Sequence, residues 1–133
     1  MENQEIQTEN IKMDEIGIGE DVPQVTAKRV TIISYEIRAV TKNEKHIGDK
    51  LVLKCKHPDM QDNIEISSVK YEANDKIRTT GIWIKLDKDG KIPYKSALAN
   101  LLRFVTKAYI KDLVGVEFNT SFDDNGYLAL KAY

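Results

Sequence analysis

A single stretch of helical periodicity stands among several segments of strand periodicity, and this imbalance limits the folds open to the chain. Four apolar residues recur at the i, i+3, i+4, i+7 spacing of one helix face: Leu98, Leu101, Leu102 and Val105. Neighbouring parallel strands need crossover connections, usually helices, so a chain with one or two helices must pair its strands mainly antiparallel. The sequence therefore predicts a mainly β, α+β fold.

Six strands are predicted around this helix from β-branched content and alternation of apolar and polar residues. In the first strand, Ile33, Tyr35, Ile37 and Ala39 are expected to face one way, and a polar loop over residues 41–49 follows it. Asp124-Asn125-Gly126 is a strong hairpin signal between the last two strands. The predicted strands are Arg29–Val40, Lys50–Lys56, Ile64–Glu72, Ile77–Leu86, Val116–Phe118 and Tyr127–Tyr133.

A small antiparallel sheet with a helix before its last two strands resembles the OB-fold, a closed Greek-key barrel. The resemblance covers residues 28–133, although an OB-fold needs five strands and the sequence predicts six. It implies an OB-like barrel and, as in the OB-fold proteins that bind single-stranded nucleic acid or oligosaccharide, an exposed binding face.

Charge divides the 133-residue chain into an acidic tail and a basic body. Residues 1–27 hold seven acids and one base, a net charge of −6, while residues 28–133 carry +5. Few apolar residues and interrupting glycines predict that residues 1–27 are a disordered tail, and residues 28–133 are predicted to be one globular domain. A basic body attracts polyanions, and an acidic tail either competes for that surface or only keeps the domain soluble.

The predicted strand Ile77–Leu86 holds the one tryptophan of the chain. If Ile82, Ile84 and Leu86 face the core, Trp83 and Lys85 face the other way. Outward aromatic rings among basic side chains suit single-stranded nucleic acid, because nucleobases stack on the rings and phosphates pair with the cations. The alternative is that Trp83 is packed under the helix or a dimer partner. The candidate binding residues are Trp83 and Tyr71 for stacking, and Lys85, Arg78, Lys54 and Arg38 for phosphate.

The sequence offers few residues for a metal site or a catalytic site. Cys55, His57 and Asp59 alternate along one strand but are too few for a structural zinc site, and Cys55 continues the apolar positions Leu51 and Leu53. No phosphate loop, nucleophile elbow or carboxylate pair is present. We therefore expect no enzyme activity, no metal and no cofactor.

The location follows from equally simple features. One cysteine excludes an internal disulfide and favours a reducing compartment. With no run of about 18 apolar residues and no basic-then-apolar N-terminus, we expect a cytoplasmic protein without a membrane segment or secretory signal.

The hypothesis is a small module that binds single-stranded DNA or RNA. The alternative is an interaction or assembly protein, such as a homodimer, that uses the same Trp83 face as its interface.

Overall fold

The computed structural model describes residues 25–133. Most of the predicted tail, residues 1–24, therefore lies outside the described residues. The described chain forms nine strands, one α-helix and one short 3-10 helix (Ile110–Leu113). In chain order the other elements are β1 Val30–Lys42, β2 Lys45–Lys56, β3 Ile64–Ile66, β4 Ser68–Ala73, β5 Lys76–Gly81, β6 Trp83–Ile84, α1 Ala97–Phe104, β7 Glu117–Phe118, β8 Thr120–Phe122 and β9 Leu128–Ala132.

The strands form two sheets, and antiparallel pairing dominates both. The first sheet has the order β3-β2-β1-β7, with β6 also paired to β2, and all of its pairs are antiparallel. The second has the order β5-β4-β9-β8, in which only β4 and β9 run parallel. The predicted α+β class, with a barrel-like arrangement of mainly antiparallel strands and a helix before the terminal hairpin, is confirmed.

The chain passes from one sheet to the other at three single residues, and the first of them is Ser67, between β3 and β4. Ile82 separates β5 from β6, accepts from Leu51 N–H at 2.8 Å and donates to the Ser67 carbonyl at 2.9 Å. Asn119 separates β7 from β8 in the same way. The prediction of one continuous strand over Ile64–Glu72 is thus wrong at Ser67, and that of one strand over Ile77–Leu86 is wrong at Ile82, which is fully buried where the two sheets meet. These crossings enclose one shared core.

The helix forms as predicted because its local signals agree with its packing. The Ser96 hydroxyl accepts from Ala99 N–H at 3.1 Å and caps the N-terminus of α1. Leu98, Leu101 and Leu102 are buried in the common core, together with Phe118 from β7. Neither this helix nor the 3-10 helix is long and apolar enough to cross a bilayer.

The β1–β2 hairpin is longer than the sequence suggested. The predicted loop over residues 41–49 is mostly strand, and the turn consists of Asn43 and Glu44 alone, with φ of 53° and 64°. Two successive left-handed residues are typical of the tight hairpin turn whose twist matches that of the strands. Residues 33–39 and 41–47 are exposed, so the outer strand β1 and the tip of the hairpin lie at the surface.

Candidate functional site

Tyr71, Trp83 and Lys85 line one cavity of about 440 Å³. Trp83 comes from β6, Lys85 from the segment after it and Tyr71 from β4, while Ser96 and Ala97 at the start of α1 form the opposite wall. The strand break at Ile82 carries Trp83 and Lys85 away from β5 into the other sheet. The cavity therefore lies where both sheets meet the helix N-terminus.

A second cavity of about 390 Å³ meets the first at Tyr71, which lines both. Its cationic residues are Arg78 on β5, directly opposite Tyr71, Lys95 just before α1, and Arg103 in the last turn of α1. Glu72 is the acid of this lining. We call the two cavities together the Tyr71 groove. It is lined by the rings of Trp83 and Tyr71 and by the cations Lys85, Arg78, Lys95 and Arg103.

Trp83 is half-buried and its environment explains why. It lies opposite Lys50 of β2, whose Nζ is 5.4 Å from the indole ring centroid. A Cβ at Gly48 would lie 3.2 Å from the ring, so glycine at this position lets the indole lie close to β2. Trp83 does not belong to the buried core or to the half-buried residues packed on it. One side of the indole is supported by the sheet and the rest borders the groove.

Like most basic residues among residues 25–133, and unlike Lys28, Arg29, Arg38 and Lys54, the groove cations have no acidic partner. Among residues 25–133, none of the four cations that line the groove makes an ion pair with a carboxylate. Arg103 instead stacks on a tyrosine, its guanidinium carbon 4.1 Å from the ring centroid of Tyr94. With four cations and one acid, Glu72, in its lining, the groove thus offers net positive charge beside aromatic rings.

Arg38 and Lys54 lie elsewhere, in a charged cluster with Glu36 and Glu65 on the first sheet. Arg38 donates to both carboxylates at 3.0–3.2 Å, and Lys54 Nζ lies 3.8–3.9 Å from both. Hydrogen bonds from Arg38 lower the pKa of Glu36 and of Glu65 and raise the pKa of Arg38 itself. The structure therefore brings four of the six candidate residues together and places these two in a compensated cluster.

Sequence reasoning missed two groove cations near the helix. Lys95 follows the three-quarters exposed Tyr94 just before the helix start. Arg103 lies on α1 away from its buried stripe and reaches the same groove. An aromatic-basic pair at a helix start and a base off the apolar stripe were the available signals. Only the fold shows that they lie beside Tyr71.

Cys55, His57 and Asp59 do not form a metal site, and no group of three potential ligands occurs among residues 25–133. His57 is buried: its Nε2 donates to the Thr26 carbonyl at 2.6 Å, and its Nδ1 accepts from Asp59 N–H at 3.0 Å. Asp59 pairs with Lys28, and the hydrogen bond from Lys28 lowers the pKa of its carboxyl. Nε2 thus holds Thr26 on the body, while Nδ1 fixes the backbone of Asp59, whose carboxylate accepts from the Thr26 hydroxyl.

We expect Cys55 to be unreactive in the folded protein. Burial raises the pKa of its thiol to about 12, and its Sγ is fully enclosed in the core. Since the thiolate is the nucleophile, alkylation by iodoacetamide at neutral pH should be at least about a hundred-fold slower than for an exposed thiol. Denaturant should remove the difference. Rapid alkylation of native protein would show that the β1–β2 region opens locally.

Comparison of the chain with models of known protein families, with curated proteins and with solved structures gave no match.

Proposed function

We propose that this protein binds single-stranded nucleic acid in the Tyr71 groove. The observation that carries the proposal is the coincidence, in one groove, of aromatic rings with cations that have no carboxylate partner among residues 25–133. Unpaired cations attract phosphates and release their counterions, while rings give bases a surface on which to stack. Neither feature alone would distinguish this surface from an ordinary solvated one.

The form of the groove favours unpaired strands over duplex. Cavities of about 440 and 390 Å³ are of the size that holds small molecules. Trp83 and Tyr71 are half-buried at the groove, so a base can reach them only if it has left its own stack. In a duplex the base faces are covered by neighbouring bases. The contacts available here are therefore largely independent of base identity and specific for single strands.

The carboxylate-paired cluster around Arg38 and Lys54 is not part of the proposed surface. Each of these cations already has two carboxylates within 4 Å, so a phosphate would have to displace Glu36 and Glu65 to gain the same charge contact. Lys54→Ala is consequently a useful control. It removes one positive charge from the body without touching the groove.

The test is titration of a fluorescent single-stranded oligonucleotide and the matching duplex with the purified chain at two salt concentrations. We expect tighter binding of the single strand, weakening at higher salt, and quenching of the sole tryptophan as the groove fills. The Lys54→Ala variant should bind within about two-fold of the unchanged chain. Equal affinity for duplex, or saturation without any change in Trp83 fluorescence, would contradict the proposal.

A further inference from the structure

Strand β1 is paired on one side along its whole length and on the other side almost nowhere. β2 pairs with it from Thr31 to Lys42, but β7 reaches only Val30 and Thr31. Beyond Ile32, no other strand among residues 25–133 covers this edge. An uncovered edge of this length is a template for pairing with another strand.

The direction of the backbone groups on this edge follows from β2. Leu51 N–H donates to the Ile82 carbonyl, on the side of β2 away from β1. Two residues that lie opposite each other in an antiparallel pair either exchange both backbone hydrogen bonds or direct their N–H and C=O groups away from each other. Leu51 lies opposite Ile37. The N–H and C=O of Ile37 therefore point to the uncovered edge. The register is regular from Ser34 to Val40, so Tyr35 and Ala39 present their backbone groups there too.

Apolar side chains accompany these free backbone groups. Tyr35 and Ile37 lie opposite Leu53 and Leu51, which are fully buried, and so belong to the core-facing side of the sheet. Yet Tyr35 is 40% and Ile37 54% exposed, because no strand among residues 25–133 covers the outer edge of β1 at these positions. The edge thus carries apolar surface as well as unpaired hydrogen-bonding groups.

We propose that this edge pairs with β1 of a second copy of the chain, antiparallel and with the two-fold axis at Ile37. In this register Ile37 meets its own counterpart and Tyr35 meets Ala39 of the other copy, so the residues with free backbone groups bond each other. On the opposite face Glu36 lies across from Arg38 of the other copy, and the symmetry repeats the pair. The charge pattern of β1 is therefore self-complementary.

Neighbouring registers lack this match. A shift of one residue would turn the apolar row of one copy against the charged row of the other. Moving the axis to Glu36 or to Arg38 would place each of these charges opposite itself, which is unfavourable. Within one chain Arg38 already bonds Glu36 and Glu65, and Glu36 of the second copy joins this charged cluster.

The test is a charge exchange read out as mass in solution. The unchanged chain should approach twice its 15.2 kDa at high concentration and dissociate on dilution, by sedimentation or light scattering. Glu36→Arg alone and Arg38→Glu alone should each be monomeric at concentrations where the unchanged chain is dimeric, while the double exchange should restore the dimer. Circular dichroism confirms that each variant is folded. A monomeric unchanged chain, or a folded double exchange that stays monomeric, would overturn the proposal.

A backbone variant tests the edge without changing charge. Because Ile37 N–H points away from β2, Ile37→Pro removes no hydrogen bond of the hairpin but should abolish pairing between copies. A folded, monomeric variant is expected, and a folded dimer would overturn the proposal. An unfolded variant would contradict the assigned backbone direction on which the proposal stands.

Amide hydrogen exchange then identifies the occupant of the edge. Protection at Tyr35, Ile37 and Ala39 should rise with protein concentration. Protection independent of concentration would show that another segment of the same chain occupies the edge, and would overturn the dimer. None of these readouts involves nucleic acid or the Tyr71 groove, so they are independent of the proposed function.

Discussion

Replacing Trp83 with alanine is expected to weaken binding of single-stranded DNA by about 5- to 150-fold, the equivalent of about 1–3 kcal/mol for one stacked base. The indole borders the Tyr71 groove, and its support by Gly48 and Lys50 holds it ready for stacking. The fold should survive, since Trp83 lies outside the buried core. Titration with a labelled oligonucleotide gives the affinity, and thermal unfolding gives the stability.

Tyr109→Ala is the matched control for this variant. Tyr109 is 63% exposed and has Lys111 Nζ 5.5 Å from its ring centroid, so it is an aromatic-lysine pair that does not line the groove. Its loss should leave the affinity unchanged. Two results for Trp83→Ala would contradict the groove as a stacking site. A loss of about 3–5 kcal/mol in stability would place the ring in the core, and a folded monomer replacing a dimer would make it an interface anchor.

The elements that sequence reasoning predicted correctly are those set by local chemistry. The helix has its stripe of leucines and a serine cap within a few residues of each other, and the terminal hairpin has its turn at Asp123–Gly126, where Gly126 takes φ of 84°. Alternation of apolar and polar residues likewise marked most strands. Such signals act between residues close in sequence, so they can be recognised without knowing the fold.

The features that were missed depend on contacts distant in sequence. The break at Ile82 is stabilised by hydrogen bonds to Ser67 and Leu51. The sequence next to Ile82 does not predict it. The parallel pairing of β4 with β9 joins strands about 60 residues apart. In β1, the expected apolar face begins at Ile33, yet a register shift at that residue buries Ile32 instead.

The candidate site was partly predictable for the same reason. The alternation of side chains along a strand predicted that Trp83 faces the opposite side from Ile82 and Ile84, and this prediction depends only on neighbouring residues. Whether a basic residue of another strand lies beside Trp83 depends on the register between the strands. Arg78 reaches the groove because it lies opposite Tyr71, whereas Lys54 lies between Glu36 and Glu65. A count of basic residues near a tryptophan could not separate these two outcomes, and it also left out Lys95 and Arg103.

Neutralising the four groove cations together should change the salt dependence of binding more than any other substitution. Replacement of Arg78, Lys85, Lys95 and Arg103 by glutamine removes up to four phosphate contacts, so the log–log slope of affinity against salt should fall by up to about 2.8. The fold should tolerate the change, because none of the four is buried and none pairs with a carboxylate among residues 25–133.

The control for the groove variant is a double variant, Arg38→Gln with Lys54→Gln. It removes two cations from the cluster with Glu36 and Glu65. Each of these cations is already neutralised by its carboxylates, so the expected change in slope per charge is close to zero. If both variants changed the slope equally per charge removed, the net charge of the body would account for binding. A change confined to the groove variant locates the phosphate path along Tyr71, because the two sets of cations differ in having or lacking a carboxylate partner.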